Sequence, residues 1–202
     1  MKIKGLLLSS LILIALCVPV VAAQSDSSTT DHPATIRQRK KNQQDRIANG
    51  IQSGQLTAGE TKNLERKEAN LNREERHMRA ADNGKLSAAD RAKLNRQQNR
   101  LSKQIYQDKH NANTAHYGNN RIGQRQKNQQ DRIAQGIRSG KLTPRKAANL
   151  ENKEQGLNRE IKGMRQANGG KLSKADRSAV NQQQNKLSGE IYNKKHDTRQ
   201  GP

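Results

Sequence analysis

The chain has almost none of the residues that build large hydrophobic cores or covalent cross-links. Its 202 residues include no tryptophan, no phenylalanine, three tyrosines and one cysteine. One cysteine cannot form an intramolecular disulfide. From residue 24 onward there are only 21 Leu, Ile and Val residues, which excludes a large globular core and leaves full disorder as an open alternative to sparse helical packing.

The N-terminus has the pattern of an export signal. Lys2 and Lys4 precede an apolar run at 6–21, and small residues follow it up to Ala23. A basic start, a short apolar segment and a small-residue exit predict a cleavable signal peptide at 1–23. We therefore expect a periplasmic or secreted protein, whose mature form contains no cysteine.

The rest of the chain is an internal repeat. The segment KNQQDRIANGIQSGQLT at 41–57 returns as KNQQDRIAQGIRSGKLT at 127–143, and a constant offset of 86 aligns the flanking residues without a gap. The repeat predicts a disordered leader at 24–35, helical unit 1 at 36–110, a linker at 111–121, helical unit 2 at 122–196 and a tail at 197–202.

Apolar side chains recur at helical spacing within each unit. They fall four, seven or eleven residues apart, as in Leu64, Leu71 and Met78, which places them on one stripe of an α-helix. The spacing predicts helices at 36–49, 57–80 and 87–109, repeated in unit 2. The expected fold class is all-α, with two tandem three-helix units after the signal peptide. Polar residues also fall on the stripe, and these are Gln44, Glu68 and Gln98 with their repeats Gln130, Glu154 and Gln184.

A corner motif, GKLSAAD at 84–90, invites a calcium-binding interpretation. In an EF-hand loop with Gly84 at position six, the first ligand position would be held by Arg79, whose charge excludes a cation there. The motif is also the pattern of one helix ending at glycine and another beginning at a hydroxyl. We therefore predict no metal site and the following helix-capping residues: Thr57, Glu60, Ser87, Asp90, Thr143, Ser173 and Asp176.

Two family resemblances follow from these motifs. The pattern NQQDRI, SGxLT and IYxxKH, at 42–47, 53–57 and 105–110 in unit 1, resembles a set of uncharacterised small secreted bacterial helical-repeat proteins, which implies no particular activity. The corners LTAGE, LSAAD, LTPRK and LSKAD are more weakly similar to the LTxxQ motif of the Spy/CpxP group of periplasmic stress proteins, although all four lack the glutamine. That likeness implies a chaperone-like or envelope-stress role.

Enzymatic chemistry has no candidate residues. No serine or cysteine has a plausible catalytic base, no glycine-rich phosphate loop follows a strand, and the acidic neighbours Glu74 and Glu75 fit a solvated helix face. The histidines do not repeat as a metal set, since unit 2 has Gly163 where unit 1 has His77. We expect no enzyme, no catalytic residue, no cofactor, no metal and no small-molecule substrate.

Positive charge is the one functional signal. The chain has 39 Lys and Arg against 18 Asp and Glu, a formal net charge of +21. Such a surface attracts anionic polymers or a membrane surface without reading a nucleic-acid sequence. The predicted contact residues are Arg37, Arg39, Lys40, Lys41, Arg96, Arg100 and Lys103. The mixed charges favour a non-enzymatic helical protein that binds protein clients or itself, and a polyanion-binding protein is the alternative.

Overall fold

The computed structural model describes residues 33–197, and within that range every regular element is an α-helix. The helices are α1 (Pro33–Gln52), α2 (Ala58–Ala81), α3 (Ala88–Lys109), α4 (Arg121–Arg138), α5 (Pro144–Ala167) and α6 (Lys174–His196). The all-α prediction is confirmed. The predicted signal peptide and most of the predicted leader and tail lie outside the described residues.

The helix bounds differ from the prediction at the first helix. The sequence predicts this helix at 36–49, whereas the structure extends it from Pro33 to Gln52. Residues 33–35, which the prediction placed in the disordered leader, are helical, and the fixed φ of proline suits the first position of a helix. The C-terminal extension keeps Ile51 on the buried stripe, where it is 1% exposed.

Hydroxyl side chains begin four of the six helices. The Thr57 and Ser87 hydroxyls accept hydrogen bonds from the backbone N–H groups of Glu60 and Asp90, whose carboxylates bond back to the cap, and Ser173 and Asp176 do the same. Thr143 accepts from the Lys146 N–H and is followed by Pro144 at the first helical position. These bonds satisfy backbone donors that a helix start leaves free.

Each corner motif contains a glycine, at which the chain turns, and a leucine two residues later. The glycine at the start of all four corners has a positive φ between 70° and 87°, a conformation that costs glycine little. Leu56 and Leu142 are at most 1% exposed. Each donates its backbone N–H to the carbonyl of a helical glycine, Gly50 or Gly136, at 3.0 and 2.9 Å, so the corner is fastened to the helix before it.

The two repeats share one core. α2 packs along α5, and α1 packs against α4, while α3 and α6 contact only helices of their own repeat. The start of α2 lies beside the second half of α5 and the second half of α2 lies beside the start of α5, so these two helices are antiparallel. The described residues accordingly belong to a single compact unit.

Nearly all of the few aliphatic side chains are buried. Between residues 35 and 197 every Leu, Ile and Val is buried except Leu172, which is partly buried and packs against the core. Tyr106 and Tyr192 are the large hydrophobic side chains exposed in this range. Burial of these aliphatic side chains provides the hydrophobic free energy for folding, although the composition alone left disorder open. Among the described helices, none combines the length and apolar character needed to span a bilayer.

Candidate functional site

Four glutamates are buried on α2 and α5. Glu65 and Glu151 occupy equivalent positions of the two repeats, as do Glu68 and Glu154, and each side chain is at most 1% exposed. Glu65 lies close enough to Glu151 for the two carboxyls to interact electrostatically, so α2 and α5 approach each other near these equivalent positions. We call these four residues the carboxyl cluster.

Amide side chains provide the hydrogen bonds that the cluster receives. Gln44 Nε2 donates to Glu65 Oε2 at 3.3 Å, and Gln130 Nε2 donates to Glu151 Oε2 at 3.0 Å. Both carboxyl oxygens of Glu154 are buried without a hydrogen-bond partner. A buried carboxylate without donors is costly, whereas the neutral acid is tolerated far better.

Burial raises the pKa of every member of the cluster. It raises the pKa of Glu154 to about 8, and it raises that of Glu68 to about 7 in spite of the nearby Lys40 ammonium. Burial also raises the pKa of Glu65 and of Glu151 well above 4.5, and the neighbouring carboxyls Glu68 and Glu154 add to these two rises. Around neutral pH the cluster therefore carries less negative charge than its formula implies.

Most other acids are engaged in caps or ion pairs. Hydrogen bonds from Lys93 and Gln97 lower the pKa of Glu74. Partial burial raises the pKa of Glu75, but bonds from Lys40 and Arg79 outweigh it, so the pKa is lowered overall. The remaining acids in ion pairs are Asp45, Asp131, Glu190 and Asp197. Because Lys and Arg outnumber Asp and Glu by 39 to 18, positive side chains remain in excess after these pairs are formed.

Two of the predicted anion-contact residues hold α1 to its neighbours. Arg39 donates to Asn95 Oδ1 on α3 at 2.9 Å and also to Asn99. Lys40 Nζ lies 2.6 Å from Glu75 Oε2 on α2. Arg39 and Lys40 therefore have fewer N–H donors available to an anionic ligand.

The other predicted contact residues are exposed, and they are Arg37, Lys41, Arg96, Arg100 and Lys103. Lys41 pairs with Asp45 one helical turn later, at 2.8 Å. The Arg39 bonds bring the start of α1 alongside the stretch of α3 that carries Arg96 and Arg100. The structure thus places part of the predicted basic set side by side.

A second basic surface was not predicted. A groove of about 770 Å³ runs between the second half of α2 and the start of α5, and its walls carry Arg66, Arg73, Arg76 and Arg145. We call it the arginine groove. None of the residues that line it is acidic. The nearest sequence signal was the mismatch between repeats, since Asn152 and Gly59 stand at the positions equivalent to Arg66 and Arg145.

A second groove lies on the other side of α2 and α5. It is lined by the start of α2 and the second half of α5, and its volume is about 550 Å³. Here the linker, at residues 114–117, forms part of the lining. The Ala115 N–H donates to the Gly54 carbonyl at 2.8 Å, and Asn111 donates to Glu60 at 2.8 Å. We call this the linker groove.

Histidines show a repeated arrangement without the geometry of a metal site. His110 stacks on Tyr106 with ring centroids 4.2 Å apart, and His196 stacks on Tyr192 at 4.1 Å. Across residues 33–197, no group of three or more His, Cys, Asp or Glu side chains is arranged to hold a metal ion.

Comparison with known proteins found no match to this chain. No protein-family model, no curated protein and no solved structure matches the chain. Its function must therefore be inferred from the placement of its own charges.

Proposed function

We propose that the protein is an exported, non-enzymatic binder of anionic polymers, built as two tandem three-helix units that follow a cleaved signal peptide. The observation that carries this proposal is the separation of charge. Four glutamates are buried on α2 and α5 with raised pKa values, and many other acids are tied to caps or ion pairs. The mature chain, which loses Lys2 and Lys4 with the signal peptide, has a formal charge of +19, and burial of these acids leaves its exterior more basic.

The proposed mechanism is counterion release. Exposed Lys and Arg side chains replace condensed cations along a phosphate or sulfate polymer, and the released ions provide the free energy. Three tyrosines among 202 residues provide little surface for stacking bases, so the mechanism does not depend on nucleotide sequence. Extracellular DNA, lipopolysaccharide phosphates and anionic lipid share the required charge.

Binding should weaken steeply with salt. We expect the mature chain to bind heparin, a sulfated polymer, with an affinity that falls roughly 100-fold between 50 and 200 mM salt if about four anions are contacted. Fluorescence anisotropy with labelled heparin measures this directly. A neutral dextran of similar length is the control. Absence of heparin binding at 50 mM salt, or affinity that does not respond to salt, would contradict the proposal.

Client binding is the second candidate, and the carboxyl cluster favours it. Ionisation of these buried acids destabilises the packing of α2 and α5, and opening of the core exposes Leu64 and Leu150, which are otherwise fully buried. The protein then offers apolar helix faces to unfolded clients or to a second copy of itself. This is the chaperone-like role that the sequence favoured.

The client-binding candidate has its own signature. Suppression of aggregation of a reduced, unfolded client should be greater at pH 8 than at pH 6 and should persist at 200 mM salt. Light scattering of the client with and without the protein provides the measurement, and lysozyme at equal charge concentration controls for electrostatic effects. Suppression that disappears with salt would assign the effect to charge instead.

A further inference from the structure

We propose that the arginine groove binds one extended, unsubstituted chain of phosphate groups, such as inorganic polyphosphate. This inference rests on the proposed polyanion-binding function and adds to it the surface and the class of ligand. The residues that line the arginine groove carry more positive charge than the equivalent residues of the other repeat.

The linker groove shows what shape of ligand such a groove accommodates. Thr57, Ala58 and Lys162 line it, and they are equivalent to Thr143, Pro144 and Arg76 of the arginine groove. Residues 114–117, which have no regular secondary structure, pass along the linker groove. At the positions that the two grooves share, the linker groove therefore lies against one strand of backbone without regular secondary structure, and we expect the arginine groove to accommodate a ligand of similar width.

The arginine groove carries more positive charge than the equivalent positions of the other repeat. Arg66 and Arg145 replace Asn152 and Gly59, while Arg73 and Arg76 keep the positive charge of Arg159 and Lys162 at the equivalent positions. Arg66, Arg76 and Arg145 are exposed. None of these three guanidinium groups has a hydrogen bond or ion pair within residues 33–197, so their donors remain available to a ligand.

Guanidinium groups in this arrangement suit phosphate. Each one presents a planar fork of N–H donors that can contact two phosphate oxygens at once. Arg66 and Arg76 are ten residues apart on α2, which separates them by about 15 Å along the helix axis. A run of several phosphates can therefore contact arginines from one end of the groove to the other.

Other occupants fit less well. A peptide needs pockets for anchoring side chains, and the aliphatic lining consists of three alanines, at 69, 80 and 148, and Pro144. A nucleic-acid strand needs aromatic platforms for its bases, and His77 is the only aromatic side chain among the lining residues. The residues that follow Asp197 in the sequence, TRQGP, include an arginine and no acid, so their charge does not complement the groove.

Paired substitutions test the inference. Arg66→Gln with Arg145→Gln removes two charges from the groove, and Lys174→Gln with Lys186→Gln removes two from exposed positions of α6. We expect the groove variant to weaken binding of a polyphosphate about ten-fold or more at 50 mM salt and to lower the slope of log K against log salt by about 1.4. The α6 variant should weaken it less than about three-fold. Circular dichroism melts establish that both variants fold.

The outcomes separate this inference from the function on which it rests. Equal weakening by the two variants would overturn the groove and leave general polyanion binding intact, whereas failure of the unsubstituted protein to bind either heparin or polyphosphate would overturn the proposed function itself. Equal competition by a single-stranded oligonucleotide with the same number of phosphates would overturn the choice of an unsubstituted chain. A gain in affinity of about ten-fold on deleting residues 198–202 would identify the tail as the occupant instead.

Discussion

Raising the pH from 5 to 8 is expected to lower the free energy of unfolding by several kcal/mol. The cause is the carboxyl cluster, whose members hold their protons in the folded chain and lose them in the unfolded chain. For Glu68, the interval from 4.5 to about 7 corresponds to roughly 3 kcal/mol. The melting temperature should fall by about 2–4 °C for each kcal/mol lost.

The direction follows from proton binding. Below pH 4.5 each of these glutamates is protonated in both states, and its contribution to stability is fully present. As the pH rises, the unfolded chain releases the proton first, so stability falls progressively, and the contribution is gone above about pH 7 for Glu68 and about pH 8 for Glu154. The lowered pKa of Glu74 acts in the opposite sense, but only below pH 4.5.

A matched pair of variants isolates the effect. Glu154→Gln removes one ionisable group without changing the shape of the side chain, so it should raise stability at pH 8 and reduce the pH slope by about 1.4 kcal/mol per unit. Glu160→Gln, on the same helix but exposed, should leave the slope unchanged. Urea unfolding at half-unit pH steps measures both. Stability that increases between pH 5 and 8 would contradict the burial of these acids.

Leu142→Ala is expected to destabilise the protein by about 2–5 kcal/mol. Leu142 is 1% exposed and lies so close to Gly136 that a Cβ atom there would come within 2.6 Å of Leu142 Cδ1. Truncating the leucine removes contacts on both sides of the corner and leaves a cavity against the helix. Chemical denaturation at pH 5, where the carboxyl cluster is neutral, measures the loss.

Leu172→Ala is the control for that prediction. Both leucines follow Gly-Lys and precede a hydroxyl residue, so their local sequences are nearly the same. Leu172 is only partly buried, and its truncation should cost less than about 1.5 kcal/mol because less apolar surface is lost. Equal losses for the two variants would show that the corner motif itself, rather than its packing, determines stability.

Local features of the fold could be predicted from the sequence. Helix type, the hydroxyl caps and the glycine corners depend on residues within a few positions of each other. Thr57 and Glu60 meet because they are three residues apart at a helix start, and Gly84 turns because its position requires a positive φ. Such short-range chemistry is independent of what lies on the far side of the molecule.

The pairing of the two repeats could not be predicted in this way. The stripe that contains Leu64 and Leu71 identifies one buried face of α2, but Glu65 lies beside it on a face that looks solvated until α5 covers it. Small residues on that face, Ala58 and Thr61, are both buried and were the only local sign of a close helix contact. Hence the sequence identified Glu68 as part of the buried stripe and missed Glu65.

The arginine groove was missed for the same reason. Arg66, Arg73 and Arg76 are ordinary exposed residues on α2 considered alone, and Arg145 belongs to the other repeat. They line one groove because α5 runs antiparallel to α2. Conversely, Arg39 and Lys40 looked available in the sequence, but they bind Asn95 and Glu75 once the helices pack. The charges in the sequence therefore predicted that the surface is basic, but not where on the surface the positive side chains lie.

Amide hydrogen exchange at pH 5 tests most directly whether the two repeats fold as one core with acids inside and bases outside. The account predicts that amides near Glu65 in α2 and near Glu151 in α5 exchange at one common slow rate, set by global unfolding, while those at 111–114 exchange much faster. Clearly different protection in the two repeats, or exchange throughout at the rate of an unstructured chain, would contradict it.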